Sequence, residues 1–169
     1  VASEDAPTLY AYMKNGNPTS REQVGLFVDG CAVKRIGDET FRISNQYVDG
    51  VILVSIDETC AAIKDIYEDT RIMSEPAGAL SVAGMKKYIL ENKNNGKNVY
   101  VVNSGANLNF DRLRHVTERA EVGEGKELLL SVNIPEVSGS FRSFCELIGR
   151  RSISEFNYRA EESEEANIF

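Results

Sequence analysis

Short unbroken apolar runs alternate along this chain with segments in which apolar residues return every three or four positions, and the two patterns predict different elements. Val51-Ile52-Leu53-Val54 and Val99-Tyr100-Val101-Val102 are β-branched, aliphatic and aromatic runs bounded by polar turns, the signature of short strands buried on both faces of a parallel sheet. Ile56, Cys60, Ile63 and Tyr67 recur at helical spacing. They predict an amphipathic helix that starts behind Ser55 or Asp57 and leaves Glu58, Lys64, Asp65 and Glu68 to water. Residues 1–4 fit the tail of a strand. Asp5-Ala6-Pro7 opens a helix with Leu9, Tyr12 and Met13 on its apolar side, and Gly16 ends it. Residues 17–22 read as a turn, residues 24–33 mix apolar residues and glycine without a period, and residues 38–47 predict a short helix.

The run from Pro76 to Met85 holds small residues nearly all round, so a helix there is packed on several sides. Each glycine inside it costs about 1 kcal/mol against alanine, and close approach to a neighbouring backbone or a ligand is the expected compensation. Strand, helix, helix, strand and helix in this order suit a doubly wound α/β domain with a parallel sheet. Such sheets bind ligands at the carboxyl ends of their strands. Ser104-Gly105-Ala106-Asn107 would lie there, ahead of a helix starting near Asn109. A Ser-Gly turn after a strand is more often a plain connection, so the local pattern alone does not make it a site.

Past His115 the pattern changes. Residues 118–127 are dominated by charge and glycine and predict a linker. Alternation from Leu130 to Ile134 predicts a half-buried strand stopped by Pro135. Gly139-Ser140 opens a helix with Phe141, Phe144, Cys145 and Ile148 on one face, and Gly149 closes it. Residues 153–158 alternate as another strand, an acidic turn covers 161–165, and residues 166–169 read as the start of a strand. Together these predict a small α+β ligand-sensing module cut off part-way. With no Met at Val1, the chain is expected to be an internal piece of a longer one.

The 169 residues are 42% hydrophobic and 27% charged, enough for one domain, or for part of one and a small second. A formal net charge of -7 argues against nucleic acid as the main partner, because phosphate binding needs clustered Lys and Arg. Cys31, Cys60 and Cys145 are odd in number and far apart, with His115 the single histidine, so neither a disulfide frame nor a metal site is expected. No apolar run approaches the roughly 18 residues that span a bilayer, and no membrane partner is expected.

Local chemistry is sparse. Acyl transfer by Ser104 would need His115, which falls on the far side of a helix. Glu75 ahead of the small-residue helix serves either as a cap or as a carboxylate facing the crevice. Lys34 sits beside Arg35 in what reads as an exposed turn, and Asp57, Glu58, Asp65, Glu68 and Asp69 lie on a wet helix face. Gly-x-Gly-x-x-Gly and Walker patterns are absent.

Five blocks carry more information together than any does alone: residues 32–42 (AVKRIGDETFR), 75–79 (EPAGA), 84–88 (GMKKY), 104–110 (SGANLNF) and 155–159 (EFNYR). In this order they resemble the biosynthetic threonine dehydratase (threonine deaminase) family along the whole chain. The resemblance implies a fold-type-II pyridoxal 5'-phosphate enzyme, tryptophan-synthase-β-like, with an ACT-like regulatory region. Residues 1–122 would be the C-terminal part of the catalytic domain, 123–127 a linker, and 128–169 the opening of the regulatory domain. The implied reaction is deamination of L-threonine to 2-oxobutanoate and ammonia, the first step toward isoleucine, with isoleucine inhibiting, valine opposing, and a homotetramer as the full-length protein. It would sit in the cytoplasm of a bacterium, or in a plastid or mitochondrion.

Carried over residue by residue, Ser104 matches the serine that hydrogen-bonds the cofactor's pyridine nitrogen. Gly30 matches the glycine lying against its ring, and Glu75 an acidic residue near it. The family's Schiff-base lysine and glycine-rich phosphate loop have no match here and are expected before Val1, so no catalytic residue is assigned and this stretch is expected to be inactive by itself. A catabolic threonine/serine dehydratase or a serine racemase would share the Ser104 chemistry but lack the elements after Leu128. A non-catalytic amino-acid-binding module is the alternative from another class.

Overall fold

In a computed structural model of the chain, residues 1–16, 22–92, 96, 98–160 and 165–168 are described. Their contacts divide them into two compact units, Val1–Glu127 and Leu128–Phe169.

In the first unit, β1 (Ala2–Ser3) runs parallel to β2 (Leu53–Val54), with Ser3 opposite Val54. Helix α1 (Thr8–Asn15) ends as predicted at Gly16, whose φ of 73° is left-handed. Helix α2 spans Asp38–Tyr47, with two acidic residues in its first turn. Ser55 starts α3 (Ile56–Thr70) through a capping box. Its Oγ accepts from the Glu58 N–H at 3.1 Å, and the Glu58 carboxylate accepts from the Ser55 N–H at 2.7 Å. Helices α4 (Pro76–Asn92) and α5 (Leu113–Gly123) both pack on α3. The core between them is built from small or compact side chains, among them Cys60, Ala62, Ile63, Ala79, Ala83, Val116 and Ala120, with Val54 of the sheet and Val28 of the long loop. Burial pushes the Cys60 thiol up to about 12, helped by the nearby Asp57 carboxylate.

In the second unit, β3 (Val132–Pro135), β4 (Tyr158–Ala160) and β5 (Glu165–Ile168) form an antiparallel sheet in the order β3-β5-β4. Helix α6 (Ser140–Ile148) closes a small core of Ile134, Phe144 and Ile168. Phe144 is the buried side chain of the predicted face, whereas Phe141 and Cys145 are exposed.

Several expectations are corrected. Residues 99–102 form no strand, and Tyr100 is 90% exposed. They cross α4, where Ser81 Oγ donates to the Val102 carbonyl at 2.8 Å, and no described strand pairs with them. The pattern records burial that the described residues do not supply. Residues 118–123, read as linker, are the second half of α5. Val116 and Ala120 are buried one turn apart, and the charges around them are used in pairs rather than solvated. Lys64 is not left to water either: its Nζ donates to Glu121 at 2.7 Å and Glu124 at 2.9 Å, while Asp65 and Glu58 pair with Lys86 and Lys87.

Asn109 does not cap a helix with its side chain; the chain first enters a 3₁₀ turn, Phe110–Arg112. In the predicted strand 153–158 only Tyr158 is extended and paired. The register sets Tyr158 opposite Ile168, and earlier residues have no partner among those described. The turns predicted at 17–22 and 161–165 lie mostly outside the described residues.

Candidate functional site

The start of α4 is where the chain brings distant polar residues together. Pro76 at the first helical position needs no N–H partner, and the two residues before it are free to bind elsewhere. Ser74 is fully buried, and its Oγ donates to Asn103 Oδ1 at 2.6 Å. The Glu75 N–H donates to the Gly105 carbonyl at 3.0 Å. Glu75 Oε2 accepts from the Asn107 N–H at 3.2 Å. The Glu75 carboxylate therefore faces the 103–107 turn.

Two glycines allow this approach. A Cβ on Gly78 would fall 2.4 Å from Asn103 Oδ1, and one on Gly105 would fall 2.5 Å from Glu75 Oε1. Ser104 stands on the outer side of the turn thus fixed, exposed and without a side-chain partner among the described residues.

Gly30 reaches the same end of α4 from the other side. It lies in the 3₁₀ turn Asp29–Cys31, inside the stretch that showed no period, and a Cβ there would be 3.0 Å from Ala77 Cβ. Arg112 holds this loop, donating to the Phe27 carbonyl at 3.0 Å and to Asp29 Oδ2 at 3.2 Å. Gly30, Glu75 and Ser104, separated by up to 74 positions, are thus gathered around the first turn of one helix. Ser74, Asn103 and Arg112 were missed from sequence. A Ser two positions before a Pro that opens a helix was a legible signal for the first, and nothing local marks the other two.

His115 is exposed on α5, its ring 5.3 Å from that of Phe27, and does not approach Ser104 in any described contact. Lys34 is exposed, and Arg35 beside it pairs with Asp38. Among the described residues no cluster of three or more His, Cys, Asp or Glu could hold a metal ion.

An exposed hydroxyl on a turn held by Glu75, with a glycine of the 29–31 loop beside the same helix end, is compatible with a polar ring ligand that needs one hydrogen-bond partner. Gly30 lets its loop lie against Ala77 at the start of α4, and the Ser104 hydroxyl stays available to a ligand. Residues 1–105 match the family described as pyridoxal-phosphate dependent enzyme. The chain belongs to this family. Residues 118–169 match the C-terminal regulatory domain of threonine dehydratase, a match that opens inside α5.

Over its full length the chain is 53% identical to the biosynthetic L-threonine dehydratase IlvA of Pasteurella multocida, of which it covers 33%. It is 52% identical over 166 residues, 96% of its length, to the mitochondrial threonine dehydratase of Saccharomyces cerevisiae, covering 29% of that protein. The processed form of threonine deaminase isoform 2 from Solanum lycopersicum superposes with a TM-score of 0.69 and 35% identity, over 70% of this chain and 32% of that one. The chain thus spans about a third of the length of these relatives. No described helix is long and apolar enough to cross a membrane.

Proposed function

We propose that this chain forms the ring-nitrogen side of the active site, and the opening of the regulatory region, of an enzyme that deaminates L-threonine to 2-oxobutanoate and ammonia in isoleucine biosynthesis. The observation carrying this reading is the convergence of Gly30, Glu75 and Ser104 on the start of α4 in a chain whose next segment matches a threonine dehydratase regulatory domain. That segment disfavours a catabolic dehydratase or a serine racemase, which would lack it, and the match of residues 1–105 to an enzyme family disfavours a purely non-catalytic binding module.

Pyridoxal phosphate, when bound, supplies the electron sink for the charge left as the substrate's α-proton departs. Ser104 is the residue that would satisfy its pyridine nitrogen. A hydroxyl is neutral, so unlike a carboxylate it does not keep that nitrogen protonated, and the weaker sink favours departure of the β-hydroxyl over transamination. Glu75 acts one step back, holding the Asn107 N–H and lying against Gly105, so that Ser104 is presented in one orientation. Gly30 leaves the ring's flank clear. One water leaves the substrate and one is taken up as ammonia is released, so the reaction balances without an oxidant.

Residues 1–122 act as catalytic part, 123–127 as connector and 128–169 as regulatory part. The full-length protein binds threonine as substrate and isoleucine and valine as effectors, as a homotetramer. Its compartment is the cytoplasm in a bacterium, or a plastid or mitochondrion in a eukaryote, in keeping with the mitochondrial threonine dehydratase of Saccharomyces cerevisiae. Assay of the full-length protein with L-threonine tests this: formation of 2-oxobutanoate and ammonia, suppressed by isoleucine and relieved by valine, is expected. Turnover indifferent to isoleucine would remove the regulatory claim, and absence of 2-oxobutanoate would remove the catalytic one.

A further inference from the structure

Helix α5 is gripped at both ends by side chains from other parts of the first unit. At its C-terminal end Lys64 bridges Glu121 and Glu124, and Arg119 pairs with Asp57 of α3. Midway, Val116 and Ala120 share the core with Val28. At its N-terminal end Arg112 spans to the loop 27–31, binding a backbone carbonyl and a carboxylate at once. The segment matching a regulatory domain begins at residue 118, so the second half of α5 belongs both to the first unit and to that match.

The two Arg112 contacts differ in weight. Asp29 is 62% exposed, so that ion pair is screened and weak, whereas the bond to the Phe27 carbonyl is partly buried and fixes backbone two residues from Asp29. Phe27 also packs its ring against His115 of α5, and Val28 shares the core with Val116 and Ala120, but these apolar contacts fix no direction, whereas the Arg112 bonds do. A shift or rotation of α5 therefore moves the Gly30 turn through the Arg112 guanidinium together with this packing.

Resting on the catalytic and regulatory reading above, we propose that Arg112 is a positioning residue that couples the setting of helix α5 to the cofactor-facing Gly30 loop, and is the directional tie by which effector binding reaches the cofactor side of the site. Its fork suits the task. A planar guanidinium meets two acceptors in fixed geometry, so it transmits orientation as well as distance, which a lysine ammonium does not.

The test uses the full-length holoenzyme as wild type, Arg112→Gln and Arg112→Lys. It reads the cofactor dissociation constant, the isoleucine concentration for half-inhibition, and isoleucine binding by calorimetry. For R112Q, about tenfold weaker cofactor binding is expected. Half-inhibition should shift upward at least about fivefold while calorimetry still detects isoleucine binding. R112K, able to meet one acceptor, should fall between R112Q and wild type in both.

Wild-type values in both readouts for R112Q would overturn the proposal, and so would weakened cofactor binding with unchanged half-inhibition, since Arg112 would then hold the loop without coupling it. Should R112Q fail to fold, R112K decides: a shift of about threefold in both readouts supports the link, and no shift overturns it. Failure of the functional reading looks different. Wild-type protein untouched by isoleucine would sink the regulatory assignment, and the coupling with it, before any variant is made.

Discussion

The Glu75 N–H donates to the Gly105 carbonyl at 3.0 Å, while the space where a Gly105 Cβ would stand is occupied by the Glu75 carboxylate, 2.5 Å away. Backbone and side chain of one residue thus hold the turn that carries Ser104. Gly105→Ala forces that carboxylate off the Asn107 N–H and shifts the turn. A displacement of about 1 Å at a reacting geometry costs on the order of a hundredfold, and a loss of that size in kcat/KM for threonine is expected in the full-length protein. The unfolding midpoint should move by only a few degrees. Unchanged kinetics would show that the turn does not position Ser104.

The capping box at Ser55 makes a cleaner prediction about stability alone. Ser55→Ala leaves the Glu58 N–H without its side-chain acceptor, at a cost of about 1 kcal/mol in chemical unfolding of the first unit. Ser55→Asp, which restores an acceptor, should recover most of it. Equal stability of all three proteins would contradict the role given to the cap.

Much of this framework was legible in the residues and some was not, for identifiable reasons. Gly16, the span of α2 and the Ser55 start of α3 follow from local rules that hold whatever surrounds them. Residues 99–102 failed because apolar β-branched runs report an environment, and among the described residues that environment is α4 on one side only. The second half of α5 was hidden by its own charges: Arg119 and Glu121 read as solvated until the structure sets Asp57 and Lys64 opposite them. Periodicity never reached Gly30, Glu75 or Ser104. They came from the resemblance, and their meeting at α4 is a property of the fold.

The clamp on Lys64 carries a pH dependence. Lys126 first, then Lys64, hold the Glu124 carboxyl below its ordinary range, and Glu121 and Glu124 hold the Lys64 ammonium above its own. A lowered carboxyl stabilises the fold above the unfolded glutamate value of about 4.3 and stops doing so as pH falls through the lower folded value. A raised ammonium stabilises it below about 10.4 and stops as pH rises through the higher folded value. Lys64→Met should therefore unfold at a lower temperature than wild type across the neutral range, with the gap closing on acidification below about pH 4. A gap independent of pH would assign the effect to packing.

The three thiols should differ in reactivity. Cys31 and Cys145 are exposed, whereas Cys60 is buried with its thiol near 12, so almost no thiolate forms at neutral pH. Desolvation and the Asp5 carboxylate also push Cys31 up, which should make it slower than Cys145. Alkylation of the native protein followed by mass spectrometry should label Cys145 first, Cys31 next and Cys60 only in denaturant. Early labelling of Cys60 would mean that α3 opens from the core.

Whether Ser104 faces the ring nitrogen is decided by Ser104→Ala in the full-length protein, assayed for 2-oxobutanoate from L-threonine with bound cofactor quantified in the same sample. Turnover lower by about a hundredfold is expected, the scale of losing one well-placed hydrogen bond to a reacting group, with cofactor still bound. Wild-type turnover by S104A with full cofactor occupancy would contradict it.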